Sequence, residues 1–131
     1  MRRRDGERGA AAVEFALVFP LVIMLLITVI EFSRLWNIQA TLTDAAMISA
    51  RYAALHSEDV DVVDKAKEQA QAIPGFVDWS IATIDVTPDC AVVKAATSEV
   101  SVAPGSVTGW FASVIGTPIE LSATGRMPCG S

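Results

Sequence analysis

A chain of 131 residues that is 52% hydrophobic has material for a membrane segment and a small core, but its net charge of −5 argues against a general nucleic-acid binder. Two cysteines and a single histidine, His56, offer no Ser-His-Asp or Cys-His arrangement. A zinc site built from Cys90, Cys129 and His56 would need a fourth ligand and reduced thiols, so no catalytic residue, metal or cofactor is expected.

The chain begins with a basic head over residues 1–9, in which Arg2, Arg3, Arg4 and Arg8 face only Asp5 and Glu7. Arginines beside an apolar segment hold their side of a membrane in the cytoplasm, and no aromatic platform accompanies them for nucleic acid. The apolar stretch Gly9–Ile30 follows, interrupted by one charge, Glu14, and one helix breaker, Pro20. Phe15–Ile30 alone would span about 24 Å as a helix, short of a bilayer core of about 30 Å. Extension back to Ala10 gives about 31 Å and takes in only Glu14; extension forward would bury both Glu31 and Arg34. The membrane helix is therefore placed at residues 10–30. A cleaved secretory signal has a shorter apolar core followed by small residues, whereas here the alanines precede the run.

Glu14 admits two readings. An intramembrane carboxylate is costly and by default functional. In the first helical turn it is also favoured by the helix dipole and wetted by headgroups. Pro20 lacks the N–H that the Ala16 carbonyl would accept, which predicts a mild kink.

Beyond the span, residues 31–56 read as a helical stalk, with Leu35, Ile38, Leu42, Ala45, Ser49 and Tyr52 forming a narrow seam. The seam is expected to pack on the chain's own outer domain; a second subunit's helix is the alternative. Residues 57–131 form a small α+β domain. A short helix lies within residues 60–73, and its acidic start (Glu58, Asp59, Asp61, Asp64) lacks the glycine and terminal Glu of an EF-hand. Strands are expected at Trp79–Val86, at Ala91–Ala95 leading into Ser98–Val102, and at Ile119–Ala123, with turns at Pro88-Asp89 and Pro104-Gly105. Val107–Ile115 reads as a short helix or a covering loop that buries Trp110 and Phe111. The fold class is thus α+β: a long N-terminal membrane-spanning helix continues as a stalk and packs on a small antiparallel sheet. Two cysteines in an exported small domain most often pair, so Cys90 and Cys129 are expected to be bonded, against the alternative of two independent thiols.

The run G-A-A-A-V-E-F at Gly9–Phe15 resembles a type IV prepilin processing site, with glycine before the cut and glutamate at the fifth mature position. That resemblance implies cleavage between Gly9 and Ala10, and a Glu14 carboxylate paired with the new amine of the same or a neighbouring subunit. The longer stretch resembles the TadE-like family of tight-adherence (Flp) pilus systems. The residues that carry the likeness are Arg8-Gly9-Ala10, Val13-Glu14-Phe15-Ala16-Leu17, Pro20, Glu31-Phe32 with Arg34, Leu42, Ala45-Ala46 and Ala50-Arg51-Tyr52-Ala53. Met47-Ile48-Ser49 departs from the Arg-Glu-Gly usual in the family. The resemblance implies a minor pseudopilin of pilin-like fold in the bacterial inner membrane, single-pass, with its N-terminus cytoplasmic and its C-terminal domain periplasmic. Its implied partners are that membrane, other pilin-like subunits and a prepilin peptidase, with no nucleic acid and no small-molecule substrate. The alternative is a single-pass anchored binding module that presents its α+β domain without pilus assembly.

Overall fold

The computed structural model describes residues 3–105 and 109–130, with the side chains of 3–8 and 110–112 outside the described set. The elements run α1 (Arg3–Leu55), α2 (Val62–Gln71), β1 (Thr83–Asp89), β2 (Ala95–Val102), α3 (Trp110–Ile115) and β3 (Leu121–Pro128). Two compact units divide the chain between Ser33 and Arg34. The fold is α+β, with a long apolar N-terminal helix packed on a three-stranded antiparallel sheet.

In the first unit α1 runs from Arg3, so the basic head and the apolar stretch belong to one helix, and it continues through Pro20. Arginine and glutamate are good helix formers, so nothing in the head beyond Gly6 and Gly9 opposes the helix. Large apolar side chains from Val13 to Ile30 are exposed on every side of the helix rather than along one stripe. A helix apolar all round requires an apolar surrounding. Thr28, a polar residue in this run, is satisfied within the helix, donating to Met24 O at 2.9 Å.

In the second unit the strands form a meander, β1-β2-β3, in sequence order. Ile84, Val100 and Ala123 share one row across the sheet, and Val86, Ser98 and Gly125 share the next on the same face. These rows alternate with exposed Asp85, Glu99 and Thr124, so one face is covered and the other meets solvent. The cover consists of the 34–55 part of α1 together with α2. The seam residues Ile38, Leu42, Ala45 and Ser49 are buried, and Ala46, Ala50 and Ala53 widen the contact to a second row. α2 adds Val62, Ala66 and Ala70 to the same core. Full burial of Ile38, Leu42 and Val100 contributes about 1.5–3 kcal/mol each.

The small side chains have a geometric consequence. A Cβ placed on Gly125 would overlap the carbonyl of Ala46 and come within 2.8 Å of Met47 N. Strand and helix backbones therefore meet there. Next to this contact Ser49 Oγ lies 2.7 Å from both Ala45 O and Ser98 Oγ, with both serines fully buried. With one proton on each hydroxyl, Ser98 donates to Ser49 and Ser49 donates to the helix carbonyl, so the pair is satisfied. Further along α1, Gln39 donates to Ser122 O at 2.9 Å and Arg34 donates to Gly105 O at 2.6 Å.

All three strands differ from expectation in their bounds. β1 starts at Thr83 rather than Trp79, because the Asp78 carboxylate accepts from both Ser80 N and Ser80 Oγ and closes a turn. Pro88 and Asp89 end β1 instead of turning. Proline is tolerated there because β1 is an edge strand. Residues 90–94 form the hairpin connection, with Lys94 in the left-handed region at φ 55°, and β2 begins only at Ala95 rather than Ala91. β3 extends to Pro128, beyond the Ala123 expected. Residues 110–115 take the helical alternative as α3, while the expected burial of Trp110 and Phe111 lies outside the described residues.

Gly125→Ala should lower stability by about 1–3 kcal/mol, because overlap with a helix carbonyl outweighs the gain of about 0.5–1 kcal/mol from removing a strand glycine. Denaturant unfolding of the full chain in detergent, followed by near-UV circular dichroism, measures this. An unchanged midpoint contradicts the close approach.

Candidate functional site

The sequence nominates two places, the N-terminal turns of the apolar helix in the first unit and the cysteine pair in the second. Gly9, Ala10 and Glu14 all lie on α1 and are exposed. Four residues of helix set Glu14 about 6 Å along the axis from Ala10, one turn away. Among the described residues the Glu14 carboxylate has neither a hydrogen-bond nor an ion-pair partner. A Cβ on Gly9 would meet nothing within 4 Å, so packing within the chain does not demand glycine there. Phe15 and Phe19 follow one turn apart with ring centroids at 5.5 Å, and Pro20 lies directly after them.

Cys90 and Cys129 are joined by a disulfide, with a Cα–Cα distance of 5.6 Å. The register explains the meeting. Asp89, Ala95 and Pro128 form the last row of the sheet, and each cysteine is the next residue beyond an edge strand. Cys129 N also donates to Lys94 O at 3.0 Å, so the bridge straps both edge strands across the end of β2. An open depression of about 420 Å³ borders the bridge, lined by Ser57, Glu58, Pro88 and Lys94.

The acidic start of α2 is a solvated helix end. Asp61 pairs with Lys65 at 2.9 Å, and both side chains are exposed. The hydrogen bond from Lys65 holds the Asp61 carboxyl below the usual aspartate range and raises the lysine in return. Asp78 is likewise lowered by its hydrogen bonds from Ser80. These carboxylates favour the fold above the ordinary aspartate range and lose that contribution as pH falls through their lowered values. Among the described residues no three His, Cys, Asp or Glu side chains are grouped as metal ligands. His56 stacks on Tyr52, with centroids 4.2 Å apart, at the end of α1.

Sequence reasoning missed the Ser49–Ser98 bond and the role of Gly125. Ser49 stood on the seam and Ser98 at an inward strand position, but only the helix-on-strand register brings them together.

From Gly9 onward, α1 is long and apolar enough to cross a membrane. Residues 9–51 match the family described as TadE-like protein. That is a likeness of this segment and not of the whole chain. The match takes in Gly9, Ala10, Glu14 and Pro20 and ends at Arg51, near the end of α1, leaving the sheet and the disulfide beyond it. No curated protein and no solved structure matches the chain. The matched segment is a helix whose apolar side chains are exposed in its first part and buried against the sheet in its second.

The bridge closes a loop with a sequence separation of 39, so its reduction should cost about 3–4 kcal/mol. Comparing unfolding midpoints of the oxidised chain and of Cys90→Ser/Cys129→Ser tests this. Equal midpoints would mean that the strap constrains nothing.

Proposed function

We propose that this chain is a minor pseudopilin-like structural subunit that helps assemble or anchor a tight-adherence (Flp, type IVb) pilus or a related secretion system. The observation that carries the proposal is the TadE-like match, which falls on a helix whose apolar side chains are exposed all round. Such a helix suits lateral packing against similar helices in lipid, where shape and buried polar pairs decide association.

The chemistry at its start supports the same reading. A prepilin peptidase cutting after Gly9 removes the basic head and leaves a cationic amine on Ala10. Glu14 then sits one turn deeper, where an unpaired charge costs several kcal/mol, on the order of 2.5–3.5 toward the bilayer centre. An amine at the head of one subunit and a carboxylate one turn into its neighbour relieve that cost together. The open space at Gly9 supports a glycine kept for recognition rather than packing. Pro20 frees the Ala16 carbonyl and bends the span slightly. The arginines of the head hold the N-terminus in the cytoplasm of the bacterial inner membrane, and the sheet-bearing unit lies in the periplasm, where a disulfide persists. The partners are the inner membrane, other pilin-like subunits and the peptidase.

Two measurements on membrane-extracted protein test the proposal. Intact mass from cells with active peptidase should correspond to a chain that begins at Ala10; a chain that retains Arg2 removes the cut while leaving the anchor. Glu14→Gln should insert, fold and be processed normally, yet lose crosslinking to other pilin-like subunits. Wild-type crosslinking and piliation in that variant would remove the assembly role of Glu14 and favour an anchored module that never assembles.

A further inference from the structure

The sheet-bearing unit carries an apolar rim beside Arg34, the residue at which that unit begins. Arg34, the first residue of this unit, follows the last residue of the span, Ile30, by four positions. Four residues reach at most about 14 Å even when fully extended, so Arg34 stays near the bilayer surface whatever the conformation between them. Its guanidinium, besides donating to Gly105 O, lines a depression of about 130 Å³ together with Phe76, Ile81 and Pro104. Phe76 is 69% and Ile81 55% exposed, on the connection that leads from α2 into β1. This connection is held in place: Val77 is buried, Trp79 packs against the core, and Asp78 closes its turn on Ser80. Trp36, two residues beyond Arg34, is 70% exposed.

Single exposed apolar residues need no explanation. Phe76 and Ile81 differ because a fixed turn presents both beside a guanidinium tied to the end of a membrane span. Aromatic and aliphatic side chains at acyl depth, with arginine at phosphate depth, are the composition that a bilayer interface selects. We propose that Phe76 and Ile81 insert into the headgroup–acyl boundary, with Arg34 facing lipid phosphate, so that the sheet-bearing unit rests on the bilayer surface. The proposal rests on reading residues 10–30 as the membrane span.

Val92 supplies an internal control. It is exposed in the turn at the far end of β1, about 20 Å from Ile81 by the length of the strand. The test uses the full chain with its disulfide intact and one added cysteine per variant, Phe76→Cys, Ile81→Cys, Val92→Cys or Val22→Cys, each carrying a fluorophore. Each variant is reconstituted alone into phosphatidylcholine–phosphatidylglycerol vesicles that contain nitroxide lipid. Headgroup nitroxides should quench the labels at 76 and 81 strongly and leave the label at 92 bright. Quenching at 76 and 81 no greater than at 92 overturns the proposal. Shielding of both from headgroup nitroxide and from aqueous iodide also overturns it and assigns the rim to a second copy of the chain. The Val22 label reports the anchor through acyl-chain nitroxides. If it is quenched while 76 and 81 are not, only the surface contact fails; if it is not quenched, the span and the contact fail together.

Discussion

Between Ala46 and Gly125 the backbones of α1 and β3 come into direct contact, and the packing of the sheet-bearing unit depends on that approach. A strand this near to a helix leaves no room for side chains between them, so both surfaces must be small. The helix meets the requirement with Ala45, Ala46, Ser49, Ala50 and Ala53, and the strands meet it with Ala96, Ser98 and Gly125. Larger residues flank the contact, with Ile38 and Leu42 at one end and Val86 and Val100 beside it. The Ser49–Ser98 bond lies in the middle of this apolar surface and adds direction. A hydroxyl pair buried without mutual contact would be penalised, so the register that joins them is favoured over neighbouring registers.

The same contact explains why the sheet needs α1 at all. Three strands and two short helices have too little apolar surface for an independent core. The second half of α1 supplies the missing layer, and the disulfide closes the end of the sheet farthest from Arg34. α1 therefore has two different surroundings along its length. Its first part exposes apolar side chains on every side, while its second part buries one face, from Ile38 to Ala54, in the core of its own unit.

Much of this was legible in the residues. The seam from Ile38 to Ser49 has a helical period that survives folding, and alternation in S-E-V-S-V located β2. The cysteine pair followed from its setting. The rest depended on interactions that pattern does not express. Trp79 and Ser80 look like strand residues, yet a carboxylate accepting two hydrogen bonds holds them in a turn. Pro88 looks like a turn residue, yet an edge strand accepts it. The expected third strand stops at Ala123, short of Gly125, whose value lies in what it leaves empty, and that emptiness has meaning only once Ala46 is opposite. At the N-terminus, by contrast, the structure adds to Gly9, Ala10 and Glu14 little beyond their exposure on α1.

The contacts of α1 with β2 and β3 also set an order of events. Gln39 meets Ser122 across 83 positions of sequence, and Ser49 meets Ser98 across 49. Helix formation is local and fast, on the microsecond scale or below, whereas non-local pairing waits for loop closure. In a chain made from its N-terminus, α1 is complete long before the strand that covers Ala46 exists. Its alanine face is then bare, and any other strand of small residues can occupy it. The residues that let β3 approach so closely thus make the newly made helix open to competitors, and the speed with which β3 arrives determines how long that exposure lasts.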